Sequence, residues 1–359
     1  MSKRVAQRPA RVPHPRGPRV RRVTGWLLAT AVATGLTAGP HTAPAPAQAA
    51  SVSAVTATVE TAPVAEYDYA TMAPTVWVNP RDRARSLVIG TNVQGAVEVY
   101  DMAGRLRQRI PASMPFNIDV RGDLVAVTDV NAGSNGLVRF YTVDRTRLTL
   151  RSAGTVDTPL DEHGLCMYAN RSTGVLYTFV TTTSGRVAQY ALSRSRGGII
   201  AARLVRGPWD VGGMTEGCAV DEARGVLYLA EEHSAIWAYG VAPNASTTAR
   251  TQIDSSDNEW LYGDIEGLAV AGRWLIASSQ GDSTFVVYDV VTRAVRRKFE
   301  VVTGPQMDGC SGTHGIEAVA TALGPRFPRG VFVCQDGENS GPSSGHTNFK
   351  LVPLERVVP

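Results

Sequence analysis

Long apolar runs are scarce in this 359-residue chain, and only the stretch from Trp26 to about Ala38 stands out. It falls short of the ~20 residues that span a bilayer, so no stable membrane anchor is expected. Acids are missing from residues 1–49, which carry eight basic groups, whereas residues 50–359 hold 28 Lys and Arg against 32 Asp and Glu. The formal charge of +4 therefore originates at the N-terminus, and the remainder, at about −4, argues against nucleic acid as a partner. No apolar pattern at i, i+3, i+4, i+7 persists along residues 50–359, which excludes a helical domain. Gly-x-Ser-x-Gly and a P-loop are lacking, and none of the four cysteines forms a CxxC. A nucleophile elbow, a nucleotide cradle and a zinc ribbon are thereby set aside.

The N-terminal segment has the form of an export signal: an Arg-rich region to Arg22, the apolar stretch, then Ala47-Gln48-Ala49 as a small-x-small cleavage site. Residues 1–49 are thus expected to be a signal peptide cleaved near Ala49, leaving residues 50–359 as one secreted domain. In an oxidising compartment Cys166, Cys218, Cys310 and Cys334 are expected to form two disulfides, with three pairings open.

Residues 50–359 read as short strands, such as Ala96–Tyr100, Leu124–Thr128, Val226–Ala230 and Phe285–Tyr288, ending in Gly, Asn, Asp or Ser. The strands recur in a unit. Four segments open with His or Glu, then Gly, then small or apolar residues: His163-Gly164-Leu165, Glu216-Gly217-Cys218, Glu266-Gly267-Leu268 and His314-Gly315-Ile316. Two earlier units near Val76 and Asn117 share the rhythm, and successive starts lie 41 to 53 residues apart. Six such units predict an all-β, six-bladed β-propeller, since a lone blade cannot bury both of its faces. The last unit is short of a strand, and Val55–Val64 is predicted to supply it and fasten the ring.

Openers from different blades converge at the mouth of the central channel. This brings together Glu216, Glu231-Glu232, Asp264-Ile265-Glu266, Asp308 and Asp336-Gly337-Glu338-Asn339. Asp264 and Glu266, at i and i+2, point to one side of an extended chain. Converging carboxylates raise one another's pKa, and a hard cation such as calcium relieves the repulsion. His163 and His314, at equivalent openers, also admit a transition metal.

These residues carry a family resemblance. Over nearly all of residues 56–357 the chain resembles the β-propeller phytases, secreted calcium-dependent enzymes that remove phosphates from inositol hexakisphosphate. The most specific pieces are Thr215-Glu216-Gly217, Leu227–Glu232 with Ala235-Ile236-Trp237, Asp264–Leu268, Ala277–Gly281, and Gln335–Asn339 followed by Asn348-Phe349-Lys350. The resemblance implies several calcium ions held among Glu60, Glu216, Asp264, Glu266, Gln280, Asp308, Glu338 and Asn339. Glu216, Glu232, Asp264 and Glu266 would be the catalytic acids, with Glu232 orienting or activating water.

The chain departs from the family where phosphate is gripped. An acidic pair before the first-blade tryptophan is replaced by Met72-Ala73, and cationic positions fall at Gln94, Asn131 and Thr183. His163 and His314 replace a tyrosine and an aspartate and, if protonated, would bind substrate phosphate instead. The expected function is a monomeric, secreted 3-phytase-like phosphomonoesterase acting on phytate or a related small phosphate ester. Alternatives are a ligand- or protein-binding propeller without activity, or another metal-dependent hydrolase on the scaffold.

Overall fold

In the computed structural model, residues 51–133 and 136–359 are described; the expected signal peptide lies outside them. Six sheets, antiparallel but for one added edge strand, follow one another around a central axis. Their innermost strands are Thr71–Trp77, Pro115–Arg121, Glu162–Ala169, Thr215–Asp221, Ile265–Ala271 and Ile316–Val319, close to the positions the repeat predicts. Each inner strand packs beside the next, and the sixth returns to the first. The ring is closed.

Closure is what buries these strands. Six of the apolar clusters lie between consecutive blades, such as Trp77, Ile89 and Val97 against Val125, Val127 and Tyr141. A blade thus offers one apolar face to each neighbour, and only a ring satisfies both. The described residues contain no helix long and apolar enough to cross a membrane.

The N-terminal segment divides its work between two blades. Val59 and Glu60 pair antiparallel with Leu351 and Lys350 and complete the sixth blade. Val52–Thr56 instead pairs in parallel with Lys298–Val302 as a fifth strand of blade five. The closing strand is therefore only two residues long, because the chain turns to the neighbouring sheet. Cys166–Cys218 joins the inner strands of blades three and four, and Cys310–Cys334 ties the segment linking blades five and six to strand Val331–Asp336 of blade six.

Candidate active site at the channel mouth

Most inner strands carry a register break just after their first pair, between Glu162 and Leu165, Thr215 and Cys218, or Ile265 and Leu268. The opener glycine sits in this bulge. A Cβ at Gly217 would lie 1.9 Å from the Glu266 carbonyl oxygen, and one at Gly164 equally close to that of Glu216. Glycine is therefore required by the approach of the neighbouring backbone, not by its φ. The bulge swings the preceding side chain toward the axis, so the openers of successive blades meet.

The openers form two unlike halves. Blades one and two present Met72 and Phe116, buried with Val93 in a small apolar cluster. Blades three to six present His163, Glu216, Glu266 and His314. Phe116 stacks on His163 with ring centroids 4.1 Å apart, and Tyr69 meets His314 edge-on.

Three groups of ligating atoms, each within 4.8 Å of one another, occupy this half: His163, Glu216 and Glu232; Glu216, Glu266 and His314; and Glu232, His233 and Asp264. Glu216 and Glu232 belong to two groups each, so the three are one continuous cluster. His163 Nε2 lies 3.3 Å from Glu216 Oε2, and His314 Nδ1 lies 3.4 Å from Glu266 Oε2. Gln280 approaches His314 through its amide nitrogen, 2.9 Å from Nε2.

Electrostatics make the cluster cation-deficient. Burial, then the Glu216 and Glu232 carboxylates, push the Glu266 pKa far above the carboxylate range. Burial opposes ionisation of Glu216 too, but the His163 hydrogen bond and both imidazoles outweigh it and hold its pKa low. Two carboxylates so close favour keeping one proton between them. Burial, with Glu216 beside it, raises Glu232 to about 7, and burial lowers His314. Tyr69 is also raised, by burial and by the same three glutamates, and stays a hydroxyl. Glu232 Oε1 and Glu266 Oε2 are buried without a hydrogen-bond partner. Unpaired buried carboxylate oxygens among carboxylates and imidazoles fit a divalent cation.

The other residues singled out in the sequence gather elsewhere. Lys350 is fully buried, and its Nζ donates to Glu60 Oε2 at 2.7 Å, Asn339 Oδ1 at 2.8 Å and Asp308 Oδ1. Asp336 Oδ2 lies 3.1 Å away. Burial alone would lower the Lys350 pKa, but these carboxylates raise it. Three residues read as calcium ligands therefore surround an ammonium here. Glu338 is exposed beyond them. Glu231, next to Glu232, accepts a hydrogen bond from the Trp237 indole at 2.7 Å and stands outside the cluster.

His233 and Tyr69 were not singled out from the sequence. His233 follows Glu231-Glu232 and was legible as a neighbour of that acidic pair; Tyr69 precedes the first blade and carries no motif. Arg109 and Arg139, of the first two blades, are already engaged, Arg109 by Glu66 and Glu98 and Arg139 by Asp129.

Comparison with known proteins bears on this site. The model of the Phytase family matches residues 24–358. A 3-phytase of Bacillus subtilis (strain 168) is 31% identical over 325 residues, covering 85% of this chain and 84% of that protein. Among solved structures, a putative oxidoreductase (glucose dehydrogenase) from Thermus thermophilus is similar at 13% identity and a TM-score of 0.48, covering 83% of this chain and 98% of its own. A chain of a nidogen/laminin complex aligns at 14% identity and a TM-score of 0.45, over 64% of this chain and 79% of that one.

Proposed function

The chain belongs to the phytase family, and on that premise we propose that it is a 3-phytase-like phosphoric monoester hydrolase acting on inositol hexakisphosphate or a related phosphate ester. Divalent cations, calcium foremost, would be held by Glu216, Glu232, Asp264 and Glu266. The observation that carries this reading is the pair of buried, unpartnered oxygens, Glu232 Oε1 and Glu266 Oε2, inside one carboxylate–histidine cluster.

In such a site cations supply the charge that phosphoryl transfer needs and make water more acidic. The chain's own residues do the rest. Glu216 and Glu266 bring opposed carboxylates to one point, and Gly217 lets them approach. Glu232, poised near neutrality, holds or accepts a proton beside them. His163 and His314 bracket the cluster, His163 facing Glu216 and His314 facing Glu266. The two disulfides suit export to an oxidising compartment, where the chain would act as a monomer after loss of residues 1–49.

Phosphate release from inositol hexakisphosphate tests the proposal, with calcium and then with chelator, from about pH 5 to 8. Calcium-dependent release that disappears in Glu216→Gln supports it. A folded, calcium-bound protein that releases nothing would instead leave a ligand-binding propeller.

A further inference from the structure

At the end of the propeller away from the mouth lies a basin of about 420 Å³. In blade one Thr71 pairs with Asn92 at the mouth, whereas Trp77 pairs with Leu87 at this opposite end. The basin's floor is Met102, Leu148, Leu323 and Phe327, all buried. These belong to the cores between blades six and one and between one and two, so the basin opens on the seam of three blades. The walls approach closely: a Cβ at Gly324 would lie 3.2 Å from that of Ala84.

The rim is formed by Arg85, Arg107 and Arg326, all exposed. Arg109, Arg121, Arg139 and Arg145 are each clasped by a carboxylate. The three rim guanidinium groups have no such partner among the described residues. Asp101 also borders the basin, but its Oδ1 accepts the backbone N–H groups of Ala103 and Arg105. Arg83, Arg105 and Arg329, on the same turns, are exposed as well. A chain whose residues 50–359 are acidic overall thus gathers unpaired arginines around an apolar floor.

We propose that this basin binds an amphipathic anion, with an alkyl or acyl chain on the Met102–Phe327 floor and an acidic headgroup among Arg85, Arg107 and Arg326. Neither half of the site accounts for the other alone. Arginines over water repel one another, and an anion relieves this. The apolar floor takes a hydrocarbon body and offers nothing to a compact anion. The volume lies in the range of small-molecule sites. The same chemistry is presented by a free fatty acid and by an acidic lipid at a membrane surface, and the site stands apart from the acidic mouth.

The test uses the whole chain and ligands that the mouth does not hydrolyse. Dodecanoate and butanoate are titrated calorimetrically, and vesicles of phosphatidylglycerol or phosphatidylcholine are tested by co-sedimentation. The expected result is binding of dodecanoate over butanoate, weakened at least about tenfold in Arg85→Ala/Arg107→Ala/Arg326→Ala by loss of charge-assisted contacts. Ala103→Glu, at an exposed wall position, should weaken it likewise. Binding only to phosphatidylglycerol vesicles, with the same losses, places the ligand in a lipid surface and also supports the proposal. Butanoate as tight as dodecanoate, affinity unchanged in the variants, or no binding by wild type to any of these probes overturns it. Phosphate release by the triple variant should equal that of the wild type.

Discussion

The Lys350 ammonium donates to Glu60 Oε2 at 2.7 Å, tying the last long strand of the sixth blade to the two-residue strand that closes it. The same nitrogen holds Asn339 and Asp308. A single buried cation therefore fastens the ring and neutralises acids that would otherwise repel.

Replacing it exposes that dependence. Lys350→Met should lower the unfolding free energy by about 3–5 kcal/mol, because Asp308, Asp336 and Glu60 are left without a counter-charge. Urea denaturation measures the loss. Added calcium should restore part of it in the variant, through the vacated acids, by more than it stabilises those acids in the wild type.

The opener glycines should be intolerant of the smallest change. In Gly217→Ala the new methyl meets the Glu266 carbonyl, and backbone rather than a side chain must move. We expect a stability loss of about 1–3 kcal/mol, together with a fall in phosphate release because Glu216 and Glu266 are displaced. Release that survives undiminished would separate the bulge from the site.

Metal removal should be felt as stability. Calcium at about a hundred times its dissociation constant adds ~2.7 kcal/mol to the folded state. Glu216→Gln and Glu266→Gln should each reduce the calcium-induced rise in Tm, and a chelator should bring wild type and variants together. Scanning calorimetry with and without calcium provides the comparison.

A pH dependence is built into the channel away from the mouth. Burial, then the Asp119 carboxylate, raises Glu317 from 4.5 to about 7, while Thr75 and the Ala318 amide donate to it. Between those values the folded chain keeps a proton that the unfolded chain has released. Stability should therefore fall as pH rises through that window. Glu317→Gln removes this contribution, so its Tm should vary less with pH there.

The repeat and the opener motif were legible because both are local. Strand alternation and the His/Glu-Gly pair recur within each unit, and a blade cannot exist without neighbours on both faces. Four of the six mouth positions, His163, Glu216, Glu266 and His314, followed from that motif alone. In the first two blades the equivalent residues are Met72-Ala73 and Phe116-Asn117, so the motif is silent where the bulge position needs no glycine.

What the tertiary structure decided is how distant groups share charge and space. The family resemblance placed Glu60, Asp308 and Asn339 with the other acids as metal ligands, whereas folding puts the Lys350 ammonium among them. The pairing of Cys166 with Cys218, the division of the N-terminal segment between two sheets, and the arginine-rimmed basin likewise depend on contacts between blades. Periodicity along one chain segment determines which faces are apolar. Only ring closure determines which charge, thiol or backbone oxygen arrives opposite, and that arrival sets each group's protonation and its partner.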